Sequence, residues 1–304
     1  MNLFPNIQEA IALLQRGDIV AIPTETVYGL GGHARDPMAI RKIYATKGRP
    51  AGHPVIVHLA DDADWEEWGI FNAHAHALAR AFWPGPLTMI LPRQAQVIDE
   101  VTGGRETVGI RVPDHPKTQA LLRQFQSGLA APSANRFGKI SPTNAAHVRA
   151  EFGDRIPILD GGPSAVGIES TIVDLSLEQP ALLRPGSIGK DAIEEIVGPL
   201  GTSSTPAPGM LKSHYAPMTS LLLSQNPGRD KNILEAEGRT VAILEAKQPE
   251  AYARDLYAEL RRMDALGVDI LIAETAPETG IGTAINDRLT RAASKFSTED
   301  KLKE

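Results

Sequence analysis

Apolar residues recur along this chain in two spacings. Short runs of aliphatic and β-branched residues at 18–23, 54–59, 87–91, 107–112, 156–159, 171–175 and 181–183 mostly end in proline, glycine or polar turn residues, and are expected to be strands. Longer stretches between them carry a helical period. Asn6 with Glu9 three residues later makes a capping pair for a helix through Leu14, and Gly17 follows as its stop. Asp36-Pro37 reads as the cap and first turn of a second helix, with Ile40, Ile43 and Tyr44 on one face. Further helices are expected at 72–82, 116–125, 144–152 and 190–197, and the alternation is that of an α/β fold. At 201–209 small residues and prolines replace any apolar period, so a linker is expected over 201–218. The pattern then restarts, with strands at 220–223, 240–244 and 268–273 and helices at 230–237, 251–266 and 281–295. Two strand-helix-strand units predict a small parallel sheet. The expected division is a larger domain over 1–200, the linker, and a smaller domain over 219–304.

Composition narrows the classes. Of 304 residues, 31 are Lys or Arg and 37 are Asp or Glu, a net charge of −6, and cysteine is absent. That removes disulfides, thiolate metal sites and cysteine nucleophiles. Residues 1–200 hold 18 basic and 22 acidic side chains and 201–304 hold 13 and 15, so neither part is a basic nucleic-acid module. Any anionic ligand must bind in a local cleft. No apolar run approaches the ~18 residues of a membrane span, and Met-Asn-Leu-Phe-Pro at the start does not read as a secretory signal. A cytoplasmic protein without a membrane partner is expected.

Familiar motifs are missing. Gly29-Leu30-Gly31-Gly32 follows a strand but does not complete a dinucleotide fingerprint, and His74 and His76, two apart on a helix, point to different faces. No nucleophile elbow, zinc-protease helix or P-loop appears. Polar segments instead cluster beside the expected strands. Pro-Thr-Glu-Thr-Val-Tyr-Gly-Leu (23–30) runs from a strand into hydroxyls and a carboxylate, and Lys47-Gly48-Arg49-Pro50 sets two cations around a glycine. His58 lies inside an apolar run. Arg111 sits in an otherwise apolar strand and needs either an internal carboxylate or an anionic ligand. Ala131-Pro132-Ser133-Ala134-Asn135, Ser141-Pro142-Thr143, Gly161-Gly162-Pro163, Gly167-Ile168-Glu169-Ser170-Thr171 and Arg184-Pro185-Gly186 add small hydrogen-bonding groups, glycine-rich loops and another cation. Converging on one crevice at the strand ends, they would hold a polyanion and a smaller polar ligand.

Together these segments resemble the YrdC-like family in its two-domain form, the L-threonylcarbamoyladenylate synthases. The resemblance also covers Ile-Val-His-Leu (56–59), Trp-Pro-Gly-Pro-Leu-Thr (83–88), Gly-Ile-Arg-Val-Pro-Asp-His-Pro (109–116), Glu-Ser-Thr-Ile-Val-Asp (169–174), Leu-Arg-Pro-Gly (183–186), Pro-Gly-Met (208–210), His-Tyr-Ala-Pro (214–217) and Gly-Ile-Gly-Thr-Ala-Ile-Asn-Asp-Arg-Leu (280–289). It implies a YrdC-like open twisted sheet with helices, and a smaller Rossmann-like parallel α/β domain. The implied activity joins L-threonine, bicarbonate or CO2, and ATP into L-threonylcarbamoyl-AMP, which goes to the tRNA threonylcarbamoyl transferase machinery. By the same resemblance Lys47, Arg49, Ser133 and Asn135 are the catalytic set. ATP is expected at Lys47, Arg49, His53, Thr107, Ser133, Asn135, Ser141, Arg184 and Tyr215, and L-threonine at Thr26, His58, Arg111, Ser170 and the Ala131 backbone. Mg²⁺ would be held by phosphates rather than by protein side chains, and the linker would act as a lid. His53 stands where asparagine is expected, and Met-Leu-Lys-Ser-His (210–214) departs from the family's usual linker run. Two other readings stay open: carbamoyl transfer, and weak RNA binding at a basic groove around Lys47, Arg49, Arg136 and Lys139.

Overall fold

The computed structural model describes residues 2–203, 205 and 214–294. The linker expected over 201–218 therefore falls partly outside the described residues, as does the end of the helix expected to reach 295. The larger sheet contains β1 (Val20–Ile22), β2 (Gly29–His33), β3 (Ile56–His58), β4 (Leu87–Pro92), β5 (Thr107–Arg111), β6 (Leu129–Ala130), β7 (Thr171–Asp174) and β8 (Ala181–Arg184). Their order is β1-β2-β6-β3-β5-β4-β7-β8, an open mixed sheet in which only the β3–β5 and β4–β7 pairs are parallel.

Helices α1 (Ile7–Gln15), α2 (Pro37–Lys47), α3 (Ala73–Phe82), α4 (Asp99–Thr102), α5 (Pro116–Phe125), α6 (Ala145–Phe152) and α7 (Lys190–Val197) accompany it. Their starts follow local chemistry. Asn6 and Glu9 form a reciprocal capping box, Asp36 caps α2 ahead of Pro37, and α5 opens on Pro116. Alternation along the strands separates two cores. Val20 and Ile22 pack with α1 and α5 residues such as Leu14 and Leu121, whereas Ile19 and Ala21 join the main core with Ile40 and Ile43 of α2.

Beyond the linker lie β9 (Ser220–Ser224), α8 (Pro227–Ala236), β10 (Val241–Leu244), α9 (Pro249–Asp264), β11 (Ile270–Glu274) and α10 (Ile281–Ala293). The three strands are parallel in the order β10-β11-β9. A third core runs from this sheet and from α9 and α10 into Val27, Ile140 and Ile168 of the larger part. Gly167 makes that contact close: its φ is +82°, and a Cβ there would run into the backbone of Arg254 on α9.

Two expectations change. The strand expected at 156–159 is reduced to a single bridge between Ala21 and Ile158, in a stretch where Pro157 lacks an N–H to donate. Conversely Gly29–His33 is a five-residue strand, although its glycines give no apolar alternation to read.

Candidate active site

Strand register builds the floor. His58 and Gly109 sit on neighbouring strands, with Ile56 opposite Gly109 and His58 opposite Arg111 across the β3–β5 pair. Thr88 is opposite Arg111 and Ile90 opposite Gly109 across β4–β5. Paired residues share a face, so His58, Arg111 and Thr88 form a polar row beside the apolar row of Ile56 and Ile90. The crevice lies over this face at the strand ends: His58, Arg111 and Arg184 are the last residues of β3, β5 and β8, Ser170 directly precedes β7, and Ala131 directly follows β6.

Loops make the walls. In the turn after β1, Thr24 Oγ1 donates to the Val27 carbonyl at 2.6 Å and lies 2.9 Å from Thr26 Oγ1. Lys47 is the last residue of α2, and its Nζ donates to the carbonyls of Ser133 at 2.5 Å and Asn135 at 2.6 Å. Arg49 donates to the Pro54 carbonyl at 2.8 Å, with its guanidinium 5.6 Å from the Phe137 ring centre. Ser170 Oγ lies 2.8 Å from Thr88 Oγ1, while Arg184 donates to the Ser170 carbonyl at 3.0 Å and to its Oγ at 3.1 Å.

Four cations therefore surround one pocket. Lys47, Arg49, Arg111 and Arg184 are all buried and all line it. Burial, and then the Arg49 charge, push the Lys47 ammonium well below the ordinary lysine range. Burial lowers Arg49 to about 10. His58 is driven by burial and the Arg111 charge to about 3, so its imidazole is neutral near pH 7. Burial would raise the Glu169 carboxyl, but Arg288 and Arg184, with a hydrogen bond from Ser141, outweigh it and hold it at about 2. Glu169 accepts Ser141 Oγ at 2.6 Å, Tyr257 OH at 2.8 Å and Arg288 Nε at 3.0 Å. The smaller domain thus reaches the pocket wall through one carboxylate.

Of the residues expected at the site, Thr26, Lys47, Arg49, His58, Arg111, Ala131, Ser133, Ser170 and Arg184 line this crevice. The others stand off it. Asn135 donates its amide to the Arg136 and Lys139 carbonyls, Ser141 is committed to Glu169, and Thr107 lies at the far end of β5, about 13 Å from Arg111 at strand rise. The His53 ring stands edge-on to Phe137 at 5.6 Å. Tyr215 is buried at φ 62° between His214 and Tyr257, with its hydroxyl lacking a partner among the described residues. His214 lines the crevice in its place, and burial together with the Lys47, Arg49 and Arg184 charges, opposed by Glu169, lowers it to about 3.

Glu25, Glu169, His214 and Arg288 received no site role from the sequence. A signal existed for Arg288, which falls on the apolar stripe of Ala284, Ile285, Leu289 and Ala292. The crevice is narrow, with a volume of about 50 Å³. A larger cavity of about 770 Å³ beside Trp68 is lined by Arg35 and Arg123, which are already paired with Glu67 and Asp61. The unsatisfied chemistry lies in the smaller one.

A family model described as "Telomere recombination" (Sua5_yciO_yrdC) matches residues 12–186, and one described as "Threonylcarbamoyl-AMP synthase, C-terminal domain" matches 188–294. The chain is similar to the threonylcarbamoyl-AMP synthase of Bacillus subtilis (strain 168), at 42% identity covering 95% of this chain and 93% of that one. It is also similar to that of Pyrococcus abyssi, at 38% identity covering 94% of each. The crystal structure of P. abyssi Sua5 complexed with L-threonine superposes with a TM-score of 0.89 at 37% identity, covering 94% of both chains.

Proposed function

Because the chain belongs to the YrdC-like family in its two-domain form, and is an enzyme of the threonylcarbamoyl-AMP synthase type, we propose that it joins L-threonine, bicarbonate or CO2, and ATP into L-threonylcarbamoyl-AMP and pyrophosphate. The observation that carries this reading is the single crevice in which Lys47, Arg49 and Arg184 face the hydroxyls and the Arg111 guanidinium of the sheet floor. The threonine amine, once deprotonated, adds to CO2 and loses a proton to give a carbamate. A carbamate oxygen then attacks the α-phosphorus, the bond to the bridging oxygen breaks, and pyrophosphate leaves with that electron pair. Both reactants are anions, so orientation and charge neutralisation dominate.

Arg111 holds the threonine carboxylate in this reading, a charge-assisted contact of ~1.5–3 kcal/mol. Thr26, His58, Ser170 and the Ala131 backbone complete the amino-acid end. Lys47, Arg49 and Arg184 take the phosphates, with Ser133 and Asn135 shaping the loop whose carbonyls now hold Lys47. Ser141, Tyr215, His53 and Thr107 complete the nucleotide end in this reading. Mg²⁺ bound with the nucleotide would be held by its phosphates rather than by protein side chains, and would neutralise their oxygens. The product serves the N6-threonylcarbamoyl modification of the adenosine beside the tRNA anticodon, in the cytoplasm.

The test is incubation of the purified protein with ATP, Mg²⁺ and bicarbonate, with and without L-threonine, following pyrophosphate and the mass of any adenylate. Release that requires both threonine and bicarbonate, with a threonylcarbamoyl-AMP mass, is expected. Turnover indifferent to threonine, or none, would reject the reading.

A further inference from the structure

Arg111 is only partly committed. Its Nη2 donates to Glu25 Oε1 at 2.6 Å and its Nε reaches the Gly85 carbonyl at 3.4 Å, while the side chain lines the crevice. Glu25 does not line it. Glu25 is instead anchored behind the arginine: Oε2 accepts the Asp114 N–H at 3.0 Å, and its backbone carbonyl accepts the Val166 N–H at 2.7 Å. Arg111 is 4% exposed and Glu25 7%, so solvent screens neither charge appreciably. A guanidinium is a rigid planar fork. With one edge tied to Glu25, its remaining donors are the ones available to the crevice.

We propose that Glu25 is a positioning and specificity residue, which orients Arg111 toward an α-carboxylate and makes the pocket select a zwitterionic amino acid over a simple carboxylate anion. The proposal rests on the reading of Arg111 as the carboxylate site. Its electrostatic logic is a count of buried charge. The Arg111–Glu25 pair is neutral before substrate arrives, and burial lowers the neighbouring His115 imidazole from its ordinary range against the opposing pull of Glu25. A zwitterion adds no net charge to that pair. With Lys47, Arg49 and Arg184 of the same crevice taken up by the nucleotide phosphates in this reading, a bare carboxylate of the same size brings a negative charge that the Arg111–Glu25 pair does not balance, which is disfavoured.

The test compares L-threonine as substrate with 3-hydroxybutyrate, threonine without its amine, as competitor. In the native enzyme 3-hydroxybutyrate should inhibit weakly. Glu25→Gln keeps an acceptor and the shape but removes the charge, and should lower the 3-hydroxybutyrate Ki relative to the threonine KM at least tenfold, about 1.4 kcal/mol, with the ATP KM within twofold. Glu25→Asp keeps the charge and withdraws it by one methylene. It should raise the threonine KM several-fold with the Ki-to-KM ratio preserved, and it carries the test if Glu25→Gln does not fold. An unchanged ratio in Glu25→Gln, or an unchanged threonine KM in Glu25→Asp, overturns the proposal. Arg111→Ala separates the two readings: if it leaves the threonine KM unaltered, the carboxylate site itself is misassigned, whereas a raised KM there with unaffected Glu25 variants sinks only the role of Glu25.

Discussion

At the scale of single residues, the crevice is built from buried charges whose partners lie far away along the chain. Arg111 in an apolar strand demanded a partner, and the partner is Glu25, 86 positions away in another loop. No local pattern encodes that distance. Lys47 shows the same limit: its position next to Gly48 and Arg49 was visible, but its burial and its bonds to the Ser133 and Asn135 carbonyls come from the fold. That burial has a kinetic consequence. A lysine pushed below its usual range loses its proton earlier as pH rises. On the proposed reading of Lys47 at the phosphates, kcat/KM for ATP should fall on the alkaline side well before the ordinary lysine value of 10.5, while Lys47→Ala should abolish most pyrophosphate release and this limb with it. A pH profile of both proteins checks it, and a Lys47→Ala enzyme with near-native turnover would remove Lys47 from the reaction.

At the scale of elements, caps and amphipathic faces carried most of the information. The starts of α1 and α2 were legible because Asn6 with Glu9 and Asp36 with Pro37 are local signals. β2 was not, because its Gly-Leu-Gly-Gly stretch has no side chains to alternate. The fold uses that lack of side chains. A Cβ at Gly32 would sit 3.0 Å from Ile43 and 3.3 Å from Ile19, so glycine is what lets α2 approach the sheet closely enough to bring Lys47 to the crevice. Gly32→Ala should therefore overpack this contact and cost about 1–3 kcal/mol in urea unfolding. Because the shift is transmitted along α2, the ATP KM should rise more than the threonine KM. A variant of native stability would show that α2 can retreat freely.

At the scale of the molecule, the two sheets are joined less by the chain than by the Glu169 contact and the shared core around Ile168, Tyr257 and Leu260. The alternation of apolar runs announced two α/β units, but nothing in it announced that a carboxylate of one would be neutralised by an arginine of the other. This junction makes stability depend on acid. Glu169 titrates near 2 in the folded protein against an ordinary 4.5, so its contribution, about 3 kcal/mol by linkage, is complete above pH 4.5 and is lost as pH falls from there through 2. Arg288→Met tests the pair directly. It leaves Glu169 buried and charged beside Lys47 and Arg184, which costs about 3–5 kcal/mol of stability and, on the proposed reading, sets the carboxylate in competition with the nucleotide for those two cations. The ATP KM should rise and the acid sensitivity should shift to higher pH. Adding Glu169→Gln removes the stranded charge, so the double variant should recover most of the stability and lose the acid dependence, measured by denaturation between pH 3 and 7. Equal losses in the single and double variants would mean that packing around Tyr257, and not the ion pair, holds the smaller domain against the crevice.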